Sequence, residues 1–347
     1  MQISQRLIDQ TQRPYLIAEM SGNHNQSLQR ALQIVEAAAA SGADAIKLQT
    51  YTADTMTLKV DAPDFVIQDK NSLWAGRHLH ELYDEAHTPW DWHGPIMQRA
   101  KELGMHCFST PFDETSVDFL EELGVPAYKI ASFELTDLPL IAKVASTGKP
   151  MIMSTGMASV AEIDEAVRTA RGAGAKDLIL LKCTSTYPAT PENSHLRTLP
   201  NMRATFGCEV GLSDHTMGVG AAVAAVALGA SLIEKHFTLR RADGGVDSAF
   251  SMEPEEFKLL RCETERAWAA LGQTNYGGSQ AEEKSKAFRR SIYVAVPVKA
   301  GEALQAEHLR IVRPGFGLAP KFYDTVLGKR ASRDLSPGTP LAWDCIG

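Results

Sequence analysis

Eight short apolar runs recur along this chain, and each has a polar or charged residue at or near its end. The runs cover residues 15–20, 45–50, 106–111, 127–132, 151–155, 178–185, 209–215 and 232–237. Segments of helical length separate them, with apolar residues recurring on one helical face, as in residues 27–40 and 159–171. Strand and helix that alternate eight times predict a (β/α)8 TIM barrel, an α/β fold, over about residues 15–270.

The residues that flank these segments are typical of helix boundaries. Ser159 is followed three residues later by Glu162, which is a capping-box pattern. Glycine follows five of the segments, where a left-handed residue is needed to stop a helix, at Gly42, Gly104, Gly124, Gly174 and Gly229.

The composition limits the partners of such a barrel. The 347 residues leave room for a barrel and a smaller domain, and 44% hydrophobic residues suffice for a core. The net charge is −7, and no long basic run interrupts the mixture, so we expect no nucleic-acid partner. Any anionic ligand must therefore be bound by locally placed cations.

The cysteines and the N-terminus indicate a cytoplasmic protein without a membrane segment. Five cysteines form no CxxC pair, which favours reduced thiols, and Cys107, Cys183 and Cys208 fit small core residues. No apolar stretch of roughly 18 residues occurs, and no apolar region follows a basic start.

Two insertions interrupt the alternation of strands and helices, and the pattern changes after about residue 271. The insertions, residues 51–88 and 240–253, follow strand ends and are candidate substrate-binding loops. Four large aromatic residues in or just after the first one are expected to cover a ligand: Trp74, Tyr83, Trp90 and Trp92. A polar, glycine-rich linker is predicted at 272–288, between a barrel domain over 1–271 and a mostly β domain over 289–347.

Two histidines stand at equivalent ends of the last two predicted strands. His215 and His236 are 21 residues apart, about one helix and one strand, so both are expected at one mouth of the barrel. Two neutral imidazoles leave coordination positions open for a divalent ion that polarises a substrate oxygen. The alternative is that each histidine is an ordinary core or surface residue.

Cations and hydroxyls also end several strands. A lysine inside a barrel implies an anionic partner, because desolvation disfavours its charge. Lys47 and Lys129 would then form a phosphate and carboxylate cradle with Thr110, Ser132 and Ser154. Alternate strand residues face opposite sides, so the sequence leaves open which of them point inward.

Three carboxylates are candidate general bases, although a solvated loop charge is the alternative for each of them. Glu19 ends the first strand, Glu134 follows the fourth, and Asp247 lies in the second insertion. Glu19 has apolar neighbours, and Lys47 on the adjacent strand is its expected partner.

Several collinear motifs resemble the sialic acid synthase family over almost the whole chain. They include AEMSGNHN at 18–25, FSTPFD at 108–113, YKIASFE at 128–134, EVGLSDH at 209–215, EKHFTL at 234–239 and RPGFGLAPKFY at 313–323. The resemblance implies condensation of phosphoenolpyruvate with the open-chain form of an amino sugar, giving a nine-carbon 2-keto acid and phosphate. Many relatives carry glycine at the position of Gln26, which is a departure in this chain.

The resemblance also assigns roles to residues. His215 and His236 would hold Mn²⁺, Mg²⁺ or Co²⁺, and Glu19, or else Glu134, would position or deprotonate a water. Phosphoenolpyruvate would be bound by Lys47, Thr110, Lys129, Ser132, Ser154, Lys182, Thr184 and Ser185. The sugar would be bound by Tyr187, Asp247 and Arg313, the last from the antifreeze-like (SAF) domain, residues 289–347, of the partner in a domain-swapped homodimer.

Within the family, the motifs best match the branch that uses 2,4-diacetamido-2,4,6-trideoxy-β-L-altropyranose. The alternatives are the branches that form neuraminic or legionaminic acid. An alternative of another class is a carbohydrate- or ice-binding module with a non-catalytic barrel.

Overall fold

A computed structural model describes residues 1–70 and 72–347. The chain divides into two compact units, Met1–Gly272 and Gln273–Gly347.

The first unit is a closed barrel of eight parallel strands. A two-stranded hairpin, β1 (Gln2–Ile3) and β2 (Arg6–Leu7), precedes it. The barrel strands are β3 (Tyr15–Glu19), β4 (Ala45–Thr50), β5 (His106–Pro111), β6 (Tyr128–Ile130), β7 (Met151–Ser154), β8 (Leu178–Cys183), β9 (Glu209–Ser213) and β10 (Leu232–His236). Every predicted run contains one of these strands, and β10 pairs with β3 to close the barrel, which confirms the predicted fold.

Helices surround the barrel, and two of them cover the segments at residues 27–40 and 159–171 where the apolar periodicity predicted helices. The helices are α1 (Leu28–Ala40), α2 (Ala53–Met56), α3 (Leu79–Ala86), α4 (His93–Glu102), α5 (Glu114–Leu123), α6 (Leu138–Ser146), α7 (Val160–Gly172), α8 (Thr198–Phe206), α9 (Gly220–Ala227) and α10 (Pro254–Leu271). Ser159 and Glu162 form the predicted capping box of α7. Gly124 ends α5 in a left-handed conformation with φ 70°, as the stop signal predicted.

The barrel strands carry apolar residues toward their amino ends and polar residues toward their carboxyl ends. Tyr15, Ile17 and Ile46 are almost fully buried. The buried polar side chains near the carboxyl ends are Glu19, Lys47, Thr110, Lys129, Ser154 and Glu234. Burying so many polar groups is costly unless they are paired, so this end of the barrel is the candidate functional site.

The second unit is small and has its own core. Its strands β11 (Ser291–Val294) and β12 (Leu309–Val312) are antiparallel, and a short helix, α11, spans Tyr323–Val326. Its core includes Ile292, Val294, Leu304, Leu309, Val326 and Leu341. Within the predicted linker the structure has a 3-10 helix, Gln280–Phe288.

Among the described residues, no helix combines the length and the apolar character that crossing a bilayer requires.

Candidate active site

The two histidines lie side by side at the carboxyl ends of β9 and β10. The ring centroids of His215 and His236 are 5.3 Å apart, with the ring planes inclined at 61°. The Nδ1 atom of His215 is 2.9 Å from the carbonyl oxygen of Thr184. Because a carbonyl only accepts, Nδ1 of His215 carries a proton and donates it to that oxygen. The predicted proximity of the two rings is therefore confirmed.

The protonation of the two rings differs. Burial, and then the charges of His215 and Lys47, lower the pKa of His236 far below its usual value. His236 is therefore neutral near pH 7, the form in which imidazole binds a metal. Burial also disfavours protonation of His215, but its hydrogen bond with Cys183 and the thiolate charge outweigh burial and raise the pKa of His215.

Cys183 belongs to this cluster, although the sequence suggested only a small core residue. It ends β8, and it is buried. Burial would raise the pKa of its thiol, but the hydrogen bond with His215, together with nearby positive charges, lowers the pKa to about 7. Among the residues that the structure describes, no three His, Cys, Asp or Glu side chains are grouped to hold a metal. An ion held by the two imidazoles would thus take further ligands from substrate or water.

A buried network of charges lies beside the histidines. The ammonium group of Lys47 pairs with the Glu19 carboxylate, as predicted, and is 3.0 Å from Glu234 Oε1. The Lys129 ammonium is 3.4 Å from the same oxygen. These contacts place Lys47 and Lys129 inside the barrel. The sequence had left open whether their side chains point inward.

Glu234 was not among the predicted site residues, yet it joins both lysines. Burial opposes its charge, but Lys129 and Lys47 lower its pKa to about 2. Burial also lowers the pKa of Lys47 to about 7, with Glu234 acting against that shift and Lys129 adding to it. Strand alternation could have identified Glu234 as a site residue, because it lies on the same strand face as His236. Lys235, between them, lies on the other face and pairs with Asp214 at 2.9 Å.

Buried or half-buried hydroxyl groups lie at or just after the carboxyl ends of β5 to β8. The Oγ atoms of Ser132 and Ser185 are 2.8 Å apart. The Oγ1 atom of Thr110 and the Oγ atom of Ser154 are buried without a hydrogen-bond partner in the described part of the chain. Unpaired buried donors are costly, so these hydroxyls suit an anionic ligand.

Two predicted phosphoenolpyruvate-binding residues use their polar groups elsewhere. The Lys182 ammonium donates to the carbonyl oxygen of Cys183 at 2.7 Å, and the Thr184 hydroxyl donates to the carbonyl oxygen of Asn193 at 3.0 Å. Neither side chain joins the charge network in the structure. Thr184 contributes to the site through its backbone carbonyl oxygen, which accepts a hydrogen bond from His215 Nδ1.

A cleft of about 720 Å³ opens beside His236. Its lining includes Ser185, Tyr187, Glu134 and Asp247, with Trp74 and Tyr83 from the first insertion. Both insertions therefore contribute to the cleft, as predicted. Two of the four aromatic residues do not, because Trp90 stacks on Phe119 with ring centroids 4.6 Å apart and Trp92 packs edge-on against His24. That part of the prediction was wrong, since these two half-buried side chains pack on Phe119 of α5 and on His24 of the loop after β3.

The loop after β3 holds Asp247 in place. The Ser21 hydroxyl donates to the Asp247 carboxylate, and burial raises the pKa of that carboxyl. Gln26 in the same loop has φ 53°, in the left-handed region that favours glycine. Its side-chain amide donates to the carbonyl oxygens of Glu85 and His87, both at 2.8 Å, which ties this conformation to α3.

Glu134 is a second cleft carboxyl whose pKa is raised. Burial raises its pKa from 4.5 to about 7, and its Oε2 atom has no hydrogen-bond partner in the described part of the chain. A carboxyl that titrates near neutral pH is suited to accept or donate a proton.

Glu134 should therefore make stability depend on pH. Because its folded pKa lies above the ordinary value, the folded state loses stability as the pH rises from 4.5 to about 7. We expect Glu134→Gln to gain stability relative to wild type between about pH 5 and about pH 8, on the order of 2 kcal/mol. Urea unfolding at both pH values measures this, with the exposed Glu122→Gln as control. Equal pH dependence in Glu134→Gln and wild type would contradict the assignment.

Arg313 lies in the second unit, immediately after β12, and its side chain is exposed.

Comparisons with known proteins agree with this arrangement. The NeuB family matches residues 34–276, and the SAF domain matches residues 289–347. The pseudaminic acid synthase of Campylobacter jejuni subsp. jejuni serotype O:2 is 44% identical over 327 residues, 94% of this chain and 95% of that protein. The N,N'-diacetyllegionaminic acid synthase of Legionella pneumophila subsp. pneumophila is 38% identical over 338 residues, 96% of this chain and 94% of that protein.

A solved structure is similar as well. The N-acetylneuraminic acid (sialic acid) synthetase of Leptospira borgpetersenii matches with a TM-score of 0.73 and 29% identity, over 82% of this chain and 94% of that one. The family match spans most of the barrel, and the relatives align over nearly their full lengths. The chain, a barrel with a SAF domain, thus belongs to the NeuB family of synthases.

Proposed function

We propose that this enzyme is a pseudaminic acid synthase. It condenses phosphoenolpyruvate and water with the open-chain aldehyde of 2,4-diacetamido-2,4,6-trideoxy-β-L-altropyranose, giving pseudaminic acid and phosphate. The observation that carries the proposal is the pair of imidazoles beside two buried lysines at the carboxyl ends of the strands. The branch is chosen because identity to a named pseudaminic acid synthase, 44%, exceeds identity to a named legionaminic acid synthase, 38%.

The residues fit a divalent ion, Mn²⁺, Mg²⁺ or Co²⁺, held by His215 and His236. His236 is neutral and its buried Nδ1 atom has no hydrogen-bond partner among the described residues. The two lysines are already offset by Glu19 and Glu234, so phosphoenolpyruvate requires additional positive charge. When bound, the ion would supply that charge and polarise the aldehyde oxygen.

Phosphoenolpyruvate would be bound by Lys47 and Lys129 with the hydroxyls of Thr110, Ser132, Ser154 and Ser185. The Lys47 ammonium has a pKa near 7, so an arriving anion would favour its charged form. The unpaired hydroxyls of Thr110 and Ser154 would donate to phosphate or carboxylate oxygens. The roles predicted for Lys182 and Thr184 stay predictions and have weaker support, because their side chains bond elsewhere.

Gly156 offers a test of the hydroxyl cradle. A Cβ atom there would lie 2.5 Å from Ser132 Cβ and 2.7 Å from Ser185 Oγ, and the residue has φ 48°. Gly156→Ala should raise KM for phosphoenolpyruvate by about 10-fold, since it displaces two charge-assisted donors. Gly148→Ala is the matched control, because Gly148 has φ 71° but no heavy atom within 4 Å of such a Cβ. Steady-state kinetics would contradict the cradle if both variants had the same KM.

The reaction needs one carbon–carbon bond and one proton relay. C3 of phosphoenolpyruvate bonds to C1 of the sugar, whose aldehyde oxygen gains a proton. Water adds to C2 and loses one proton, which balances the proton gained by the sugar oxygen. As the C2–O bond to phosphate breaks, the oxygen from water becomes the keto oxygen and its second proton leaves with phosphate. Glu134 lines the cleft and is suited to proton transfer at the sugar oxygen or the water. The water-positioning role of Glu19 stays a prediction, since its described contact is the ion pair with Lys47.

The sugar would occupy the cleft between the two insertions. The Tyr187 ring lies 4.5 Å from the His215 ring and 5.1 Å from the Phe250 ring, so it would orient the sugar next to the histidines. Asp247 would accept hydrogen bonds from the sugar.

We also propose a domain-swapped homodimer in which Arg313 of the partner subunit contacts the sugar. His236→Ala and Arg313→Ala should each be nearly inactive alone, whereas mixed dimers should regain about a quarter to a half of wild-type activity, because one site per dimer is intact. Co-expression with two affinity tags and tandem purification isolates the mixed dimers. No recovery in verified mixed dimers would contradict action in trans.

The substrate test compares three sugars. Purified enzyme is incubated with phosphoenolpyruvate, Mn²⁺ and the altrose derivative or the precursors of neuraminic or legionaminic acid, and phosphate release is followed. We expect kcat/KM for the altrose derivative to be the highest by at least about 100-fold. No turnover with it, or faster turnover with another precursor, would reject the branch. Release with none of the three would favour a binding module.

A further inference from the structure

A second cleft, of about 820 Å³, lies at the opposite end of the barrel. Its lining includes the turn of the N-terminal hairpin, the start of β3 at Tyr15, and residues just before β4 and β5. These are the amino ends of the strands, so this cleft is separate from the candidate active site. Its charged lining residues are Arg6, Arg13, Asp44 and Arg261.

Arg261 and Asp44 hold each other in place. The Arg261 guanidinium pairs with the Asp44 carboxylate and donates to the carbonyl oxygens of Gly42 and Pro14, both at 2.9 Å. Asp44 also accepts from the backbone N–H of Leu16 at 2.9 Å. Arg261 therefore has a structural role that accounts for its charge.

The other two arginines are less well matched. Arg13 shares Asp44 with Arg261, at 3.0 Å from Oδ1, and its side chain is 37% exposed. Arg6 has no carboxylate within 4.0 Å among the described residues and donates one bond, to the Arg13 carbonyl oxygen at 3.1 Å. Its Nε atom is buried without a partner in the described part of the chain.

The cleft therefore concentrates positive charge in an acidic protein. The lining of the cleft carries three guanidinium groups and one carboxylate, Asp44, which pairs with two of them, in a chain of net charge −7. The Tyr15 hydroxyl, which is bonded to the ring of His106 at 2.6 Å, is uncharged and does not offset the guanidinium charges. Adjacent guanidiniums with free donors repel one another unless an anion joins them.

We propose that this cleft binds a small phosphate-bearing anion through Arg6 and Arg13. Guanidinium groups present paired N–H donors that match phosphate oxygens, and the cleft has room for more than one phosphate group or a phosphate ester. The same chemistry has two sources, free inorganic phosphate or the phosphate of a nucleotide. The proposal does not depend on the identity of the sugar substrate.

Calorimetric titration of the full-length enzyme with inorganic phosphate and with cytidine monophosphate tests it. We expect Arg6→Gln to weaken binding at one site by about 10-fold or more, because one charge-assisted contact is lost. Arg13→Gln should do the same and serves if Arg6→Gln does not fold. Tighter binding of the nucleotide would indicate an ester, and equal binding would indicate phosphate alone. Arg168→Gln, which removes an exposed arginine on α7, is the control.

Location is tested separately, because the active site is also proposed to bind phosphate groups. Crystals soaked in tungstate, a tetrahedral dianion detectable by anomalous scattering, should have a tungsten peak beside Arg6 and Arg13, and crystals of Arg6→Gln should lose it. Absence of that peak from wild-type crystals, or unchanged binding in both glutamine variants, would overturn the proposal.

Discussion

Replacing His236 by alanine is expected to lower metal-dependent phosphate release by about 1,000-fold, while the barrel stays folded. The loss corresponds to roughly 4 kcal/mol of transition-state stabilisation, the scale expected for a lost Lewis acid. His236 is neutral and lies 5.3 Å, centroid to centroid, from His215, so its removal leaves one imidazole for the ion. The rate of phosphate release and the affinity for Mn²⁺, the latter measured by electron paramagnetic resonance, should both fall in this variant.

His80→Ala is the matched control for this variant. His80 lies on α3, and its Nε2 atom is 2.8 Å from the carboxylate of Asp54, away from the histidine pair. Its removal should leave both Mn²⁺ affinity and turnover close to wild type. If His236→Ala retained full activity without bound metal, the proposed role of the pair would be wrong.

Replacing Lys47 by methionine is the second large effect. The change keeps most of the side-chain volume but leaves Glu19 and Glu234 short of a cation. A buried ion pair that loses one partner destabilises a protein by roughly 3–5 kcal/mol. We also expect kcat/KM for phosphoenolpyruvate to fall by about 1,000-fold, because a cation of the proposed cradle is lost.

Lys235→Met separates these two consequences. Lys235 is as deeply buried as Lys47 but points away from the barrel interior, and its ammonium bonds to Asp214 and to the carbonyl oxygens of Thr216 and Gly218. Urea unfolding should report a similar loss of stability, whereas KM for phosphoenolpyruvate should stay within about 3-fold of wild type. An equal rise of KM in both variants would indicate that Lys47 acts on stability alone.

The fold was predictable because of how a parallel barrel buries its strands. Both faces of each strand are covered, so the strands are continuous apolar runs, and the polar residue at each carboxyl end marks the mouth. The pairing of Glu19 with Lys47 followed from adjacency, since the two residues are direct partners in the register of β3 and β4. The meeting of His215 and His236 followed in the same way.

The sequence did not reveal which face of each strand points into the barrel. Glu234 and Cys183 were missed because the inner face of a strand is decided by barrel register. Trp90 and Trp92 were assigned to the ligand because composition alone does not distinguish packing on a helix from lining a cleft. The positively charged cleft around Arg6 is formed by residues from distant parts of the chain, so no local sequence pattern predicted it.

The most direct test of the central claim is a crystal structure of the enzyme with Mn²⁺ and phosphoenolpyruvate. We expect an anomalous manganese peak within about 2.5 Å of a ring nitrogen of both His215 and His236. The phosphoenolpyruvate oxygens should contact the ammonium groups of Lys47 and Lys129. Manganese bound elsewhere, or phosphoenolpyruvate bound away from these lysines, would contradict the claim.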